Sequence, residues 1–189
     1  AFCNHPPPPQ RPSRGRGGAM GQSMGQSPAK MEDLYFIQKV RLGEGSFGTV
    51  WRAVDKRDKR IVAIKQLEKA LMPKRGVKRQ DIEREIRVMM ACRHTNIIGL
   101  LSTFEDEHSV YLALEYCDGG DFGDKLKERG AELEEHEAVR WLRDICSAIA
   151  ALHSASICHR DVKPDNFMLA GMTLKLADFG LAVPVQRGA

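Results

Sequence analysis

From Leu34 onward, apolar and polar positions recur with regular periods. Five stretches, near 34–42, 49–54, 60–66, 97–104 and 109–115, alternate or run apolar between glycines and charged clusters, which predicts β-strands. Two longer stretches repeat at helical spacing. Over about 77–91 the repeat is Ile82, Ile86 and Met89; over about 135–154 it is Val139, Leu142, Ile145, Ile149 and Leu152. Farther along, Phe167-Met168-Leu169 and Leu174-Lys175-Leu176 are short strand-like runs joined by Ala170-Gly171-Met172-Thr173, which predicts a hairpin. Strands come first and helices later, and no period of about 20–50 residues marks a solenoid or propeller.

Residues 1–30 break this pattern. They hold six prolines, five glycines and almost no large apolar side chain, so burial cannot offset the entropy of ordering them, and a disordered leader is expected. Its Arg-Gly-Arg-Gly-Gly run is similar to RNA-binding tracts, but a flexible leader is the reading adopted. The 189-residue chain carries a net charge of +4, and Arg11, Arg14, Arg16 and Lys30 account for it, the remainder balancing at 25 basic and 25 acidic residues. Such a balance gives no domain-wide basic face for nucleic acid. A composition 42% hydrophobic and 29% charged fits a globular protein that buries a core. With no run of about 18 apolar residues and no apolar segment at the N-terminus, no membrane span or secretory signal is expected, and an intracellular protein, cytoplasmic or nuclear, follows. Cys3, Cys92, Cys117, Cys146 and Cys158 lack CxxC spacing and are read as reduced thiols without structural zinc.

The first site-like feature is Gly43-Glu44-Gly45-Ser46-Phe47-Gly48, between two strand-like runs. Its glycines let backbone amides approach phosphate oxygens, and they equally let a hairpin turn tightly. A Rossmann unit needs a helix directly after the glycines and a Walker loop needs Gly-Lys-Ser/Thr, and neither is present. In Val62-Ala63-Ile64-Lys65, alternation puts Ala63 and Lys65 on one face. Glu85 shares a helical stripe with Ile82, Ile86 and Met89, so it points inward; a buried carboxylate needs a partner, and Lys65 is the expected one. Glu83 and Arg84 lie off the stripe and are read as a solvated face.

Between Ile157 and Leu169 six polar residues stand in eight positions, His159, Arg160, Asp161, Lys163, Asp165 and Asn166. If the hairpin pairs as predicted, Asn166 comes close to the segment carrying Asp178. An amide oxygen and a carboxylate so placed suit Mg²⁺, a hard cation that takes oxygen ligands and bridges phosphates. Gly180 is expected to provide the unusual backbone there, with Phe179 anchored in the core.

The glycine loop through Val50, Val-Ala-Ile-Lys65, the inward Glu85, His159-Arg160-Asp161-x-Lys163-Pro164-x-Asn166 and Asp178-Phe179-Gly180 follow in this order, and with them the chain resembles a eukaryotic protein kinase. The match covers roughly residues 34 to 189. It implies an α+β, bilobal protein-kinase-like fold: an N-lobe of antiparallel β-sheet with one helix, then the first part of a mainly helical C-lobe. Residues 31–115 would form the N-lobe and 116–189 the partial C-lobe, with hinge, two helices, catalytic loop and DFG segment. The resemblance further implies that Leu42, Gly43, Gly45 and Gly48 cover ATP, that Lys65 holds its α/β-phosphates fixed by Glu85, and that Asn166 and Asp178 hold Mg²⁺. Asp161 would accept the substrate hydroxyl proton, and Lys163 would neutralise charge on the transferred phosphoryl. Lys163 followed by proline resembles Ser/Thr kinases, which implies a protein substrate with a Ser or Thr acceptor. Adenine would meet the backbone of Glu115-Tyr116-Cys117, with Leu114 behind, Val50 and Ala63 above and Met168 below. Val50, Ala63 and Met168 are alternatively read as simple core residues. Asp121 would accept from a ribose hydroxyl or cap a helix, two readings of equal weight. Cys117 is read as inert. His159 would stack beneath Phe179, and Arg160 resembles the arginine of kinases switched on by a phosphate on the activation segment.

The glutamate-to-phenylalanine run EYCDGGDF and the loop HRDVKPDN resemble the calcium- and calmodulin-regulated group. The chain stops eleven residues after Asp178, so a fragment is expected, with Val139, Leu142, Ile145 and Ile149 partly exposed, poor solubility and little or no activity alone. The competing reading is a non-catalytic nucleotide-binding or regulatory module.

Overall fold

The computed structural model describes residues 30–45 and 48–185. The expected leader, apart from Lys30, lies outside the described residues, as do Ser46 and Phe47 at the tip of the glycine loop. A single turn of helix, α1 (Met31–Leu34), leads into β1 (Tyr35–Gly45), β2 (Gly48–Asp55) and β3 (Ile61–Glu68). Helix α2 (Arg79–Ala91) follows, then β4 (Leu100–Glu105) and β5 (Ser109–Glu115). These five strands form one antiparallel sheet in the order β1-β2-β3-β5-β4.

Alternation along the strands divides the sheet into two apolar faces. On the outer face, Met31 and Tyr35 close over Ala53, Val62, Ile64 and Ala113, with Trp51 and Phe104 packed at the margin. On the inner face, Ala63, Leu67, Leu112 and Leu114 join the main core, to which α2 contributes Ile82, Val88 and Met89. Removing each of the valines, leucines, isoleucines and methionines among them from water stabilises by roughly 1.5–3 kcal/mol.

The remainder of the chain is more helical. A two-residue strand β6 (Gly120–Asp121) precedes α3 (Phe122–Arg129) and the long α4 (Glu135–Ser154); then come β7 (Ile157–Cys158), β8 (Phe167–Ala170), β9 (Thr173–Leu176) and β10 (Val183–Pro184). Strands β6, β8 and β9 make a small sheet on which α4 packs, with Asp144 Oδ2 accepting from Leu174 N–H at 2.9 Å. Trp141 of α4 meets Phe122 of α3 edge to face, ring centres 5.0 Å apart. Val139 and Leu142 lie on the open side of α4, 48% and 58% exposed, while Ile145 and Ile149 are half-buried. No helix among the described residues is long and apolar enough to cross a membrane.

Several boundaries differ from the sequence expectation. The predicted strand 97–104 begins only at Leu100, because residues 96–98 turn to the second sheet: Leu176 N–H donates to Asn96 O, and Ile98 N–H to Leu176 O. Helix α3, with only Leu126 and Phe122 as large apolar residues, carries too weak a period to stand out by pattern alone. The β8–β9 hairpin forms with a two-residue turn, Gly171-Met172, rather than four; Gly171 adopts φ 58°, and Asp118 Oδ1 accepts its N–H.

Candidate active site

The pairing of β1 with β2 sets Gly43 against Val50, Glu44 against Thr49 and Gly45 against Gly48, so the glycine loop is a hairpin over the inner face. A side chain at Gly43 would meet nothing within 4 Å, whereas a Cβ at Gly48 would stand 1.9 Å from Gln66 O. Gly43 therefore keeps space open, and Gly48 allows two strands to touch. Cross-strand register places Val50 beside Lys65, and Ala63 beside Leu114. Leu42 is exposed and Val50 half-buried, while Ala63 and Leu114 are buried beneath them.

Lys65 Nζ lies 2.7 Å from Glu85 Oε1, and both side chains are largely withdrawn from water, 14% and 7% exposed. Two such charges are retained only because each neutralises the other, since desolvating either alone costs several kcal/mol. The neighbouring Arg84, read from the sequence as part of a solvated face, is half-buried instead. Its Nη2 lies 2.9 Å from Asp81 Oδ1 and 3.5 Å from Gly180 O, so it reaches the segment after Asp178. Glu83 is exposed.

Below the sheet, Asp161 is held by three bonds. Lys163 Nζ donates to Asp161 Oδ2 at 2.9 Å, and Asn166 Nδ2 donates to the backbone oxygen and to Oδ2 at 2.7 and 2.8 Å. The Lys163 ammonium, seconded by the Asn166 amide, holds the Asp161 carboxyl below the usual carboxylate range, and Asp161 in turn raises Lys163. Both N–H groups of the amide are thus committed to Asp161, and Oδ1 is the end free to face a cation. The hairpin brings Ala177 N–H to Asn166 O at 2.8 Å, placing Asp178 one residue from that contact. Asp178 itself, not Gly180, adopts the left-handed backbone (φ 54°), and its Oδ1 accepts Gly180 N–H at 3.3 Å. The expectation of a special glycine is corrected on this point: the tight reversal is stabilised by a side-chain-to-backbone bond that an aspartate makes. Among the described residues no set of three His, Cys, Asp or Glu converges to hold an ion unaided. Two oxygen donors fit Mg²⁺, which takes one or two protein oxygens and completes its shell with phosphate and water. Phe179 is fully buried, with His159 edge to face at 5.1 Å and His159 Nε2 3.1 Å from Ala177 O. Arg160 is exposed at φ 68°, its Nε donating to Leu181 O at 2.7 Å. Asp165 is exposed.

Between the two groups runs the strip Glu115-Tyr116-Cys117. Glu115 N–H already donates to Gly99 O at 2.9 Å, and its side chain turns to Lys175, Oε1 to Nζ 3.0 Å. Burial, reinforced by the Glu115 carboxylate, pushes the Cys117 thiol up to about 11, so it is a neutral SH at physiological pH. Asp121 caps α3, its Oδ1 accepting Asp124 N–H at 2.9 Å, and it stands opposite Met168 in the β6–β8 pair. Pattern reading gave no role to Lys175 or Asn96, which are buried, and their signal is faint: a lysine flanked by two core leucines. A separate apolar groove of about 610 Å³ lies between α2 and the loop after β3, lined by Met72, Val77, Ile82, Ile86 and Val110. None of the residues singled out as site candidates lines it.

The family model described as protein kinase domain matches residues 36–189. The chain is 38% identical over 157 residues to calcium-dependent protein kinase 5 of Plasmodium falciparum, covering 81% of this chain and 27% of that protein. It is 36% identical over 184 residues to the mouse serine/threonine-protein kinase DCLK3, covering 95% of this chain and 22% of that one. A probable myosin light chain kinase of Dictyostelium discoideum is 36% identical over 160 residues, or 82% of this chain and 45% of its own length. The chain thus spans less than half the length of each of these relatives.

Proposed function

The chain belongs to the protein kinase family, and on that premise we propose that its cleft binds ATP with Mg²⁺ and passes the γ-phosphoryl group to a Ser or Thr hydroxyl of a protein. The observation that carries the reading is the withdrawn Lys65–Glu85 pair, 2.7 Å apart, beneath a glycine hairpin whose Gly43 leaves open space. A fixed ammonium under an open stretch of backbone is what a polyphosphate requires, because transfer of phosphoryl asks the protein mainly for positioning and charge. In this reading Lys65 meets the α/β-phosphates, while Leu42, Gly45, Gly48, Val50, Ala63, Leu114 and Met168 enclose the rest of the nucleotide. Adenine is read by the Cys117 N–H, since that of Glu115 is already committed to Gly99. Asp121 keeps one oxygen for the ribose while the other caps α3.

The acceptor hydroxyl donates to Asp161. As its oxygen bonds to the γ-phosphorus and the bond to the β-phosphate oxygen breaks, ADP leaves and the hydroxyl proton passes to the Asp161 carboxylate. A carboxyl held below its usual range is a weak base, so Asp161 orients the hydroxyl early and takes the proton late, when attack has made it acidic. Lys163 sits beside it to offset charge on the moving group. Asn166 Oδ1 and the Asp178 carboxylate would hold Mg²⁺, which would supply neutralising charge to the phosphates when bound. Residues 31–115 and 116–189 act as the two lobes, and an intracellular setting, where ATP and reduced thiols coexist, is where we place the protein. The competing reading, a non-catalytic module, has against it an Asp161 carboxylate ionised and pinned by two donors.

The test compares Mg-ATP binding by calorimetry for the chain and for Lys65→Met and Asp178→Ala, alongside transfer of labelled phosphate to matched Ser, Thr and Tyr peptides. Tight binding lost in both variants is expected, with whatever label the chain transfers found on Ser or Thr; equal binding in all three chains, or label on Tyr alone, overturns the reading.

A further inference from the structure

Lys175 is 9% exposed, between Leu174 and Leu176, which are fully buried. In the β8–β9 pair it stands opposite Met168, on the face assigned above to the floor of the nucleotide pocket. Its ammonium reaches across to Glu115 Oε1 at 3.0 Å and to Thr95 O at 2.8 Å. Glu115 closes β5, and its other oxygen accepts Gly99 N–H at 3.3 Å. The intervening residues are moored to the same hairpin: Asn96 Nδ2 donates to Leu174 O at 3.0 Å, and Ile98 N–H to Leu176 O at 2.9 Å. The Lys175–Glu115 bond therefore joins the small sheet to the last residue of the large one, directly behind the strip whose far side would meet adenine. Any rotation of one sheet against the other that separates these residues strands a buried ammonium without its counter-charge, which is strongly unfavourable.

We propose that Lys175 is a positioning residue: through Glu115 it fixes the angle between the two sheets and holds the Glu115–Cys117 strip in the register that receives the purine. The purine part rests on the function proposed above; the fixing of the angle does not. Lysine is suited to it because its long stem crosses apolar surface while one point charge serves two acceptors.

The experiment uses the whole chain with Lys175→Met, Lys175→Arg and Glu115→Gln, reading amide exchange at residues 96–99, 115 and 176 under native conditions, global unfolding in urea, and Mg-ADP affinity. Lys175→Met and Glu115→Gln are expected to speed exchange at Ile98, Gly99 and Glu115 by tenfold or more while α4 amides keep their rates, and to weaken Mg-ADP at least fivefold. Lys175→Arg, which keeps the charge, is expected to recover most of both. Unchanged exchange in Glu115→Gln, whose partly exposed side chain tolerates the change, overturns the proposal even if Lys175→Met fails to fold. So does a loss of urea stability with exchange raised uniformly, which is what a residue that merely fills space would give. If no variant and no parent binds Mg-ADP, the function reading falls, and the exchange pattern alone decides the role of Lys175.

Discussion

Asn166 and Asp161 are joined twice, the Asn166 Nδ2 donating to the Asp161 backbone oxygen at 2.7 Å and to its carboxylate at 2.8 Å. One amide thereby fixes both where the loop lies and which way the carboxylate turns. Asp161→Asn removes the proton acceptor while preserving shape, so phosphoryl transfer is expected to fall by about 10²–10⁴, with Mg-ATP affinity little changed. Single-turnover transfer beside calorimetric binding checks this split.

Lys163 is the chief reason the Asp161 carboxyl sits low. In Lys163→Met the carboxyl returns toward its ordinary range. A group depressed in the folded protein is ionised, and active, down to a lower pH than normal. Removing the depression therefore shifts the acid limb of the transfer rate to higher pH. The pH profile of the rate, compared in the two chains from pH 4 to 8, reads the direction; an acid limb that stays in place speaks against Lys163 as the controlling charge.

Breaking the Lys65–Glu85 pair from one side leaves a carboxylate that is 7% exposed without its cation. Lys65→Met is expected to cost about 3–5 kcal/mol in urea unfolding, and Lys65→Met with Glu85→Leu much less, because no charge is then left buried. Additive losses in the two single variants and the double variant would show that the residues do not interact in solution.

The two ends of the glycine hairpin respond oppositely to a methyl group. Gly48→Ala drives a Cβ against Gln66 O and is expected to cost about 1–3 kcal/mol. Gly43→Ala meets empty space and should leave the unfolding midpoint in place while weakening ATP. Thermal melts with and without Mg-ATP separate the two effects.

Asp55, 3% exposed, receives the backbone N–H, Nε and Nη2 of Arg57, and the side-chain bond from that guanidinium is the main reason its carboxyl is lowered to about 2. A carboxyl lowered on folding stabilises the folded state above its unfolded value near 3.8 and loses that contribution as pH falls through about 2. Arg57→Ala is expected to flatten this part of the stability curve. Because Arg57 is 63% exposed, solvent screening keeps the effect modest. Unfolding midpoints taken from pH 5 to 2 in both chains measure it.

How much of this was legible in the sequence depends on the range of the interactions. Strands whose sides alternate, and the stripe of Ile82, Glu85, Ile86 and Met89, announce themselves because period and burial coincide within a few residues; three of the four stripe residues are buried and Ile86 is half-buried. The inward turn of Glu85 followed from that stripe alone. Arg84 escaped because its burial comes from Gly180, 96 positions away, which no helical period reports. Lys175 escaped for the same reason: its partners Glu115 and Thr95 lie in other elements. The left-handed residue was assigned to Gly180 because glycine adopts that backbone at least cost, yet Asp178 does so with its own carboxylate accepting the Gly180 N–H. At Asp121 the cap is visible in local sequence logic, Asp three positions before Asp124, whereas the ribose role depends on a ligand.

The hydrogen bond from Asn96 to Leu174 spans 78 positions. While the chain emerges from a ribosome, the large sheet can assemble as soon as β5 has been translated, but Asn96 Nδ2 and the Ile98 N–H have no acceptor until β9 arrives. Synthesis thus passes through an interval in which Asn96, Ile97 and Ile98, all buried in the finished protein, stand bare beside a completed sheet. Such an interval is a natural moment for a chaperone to engage the nascent chain.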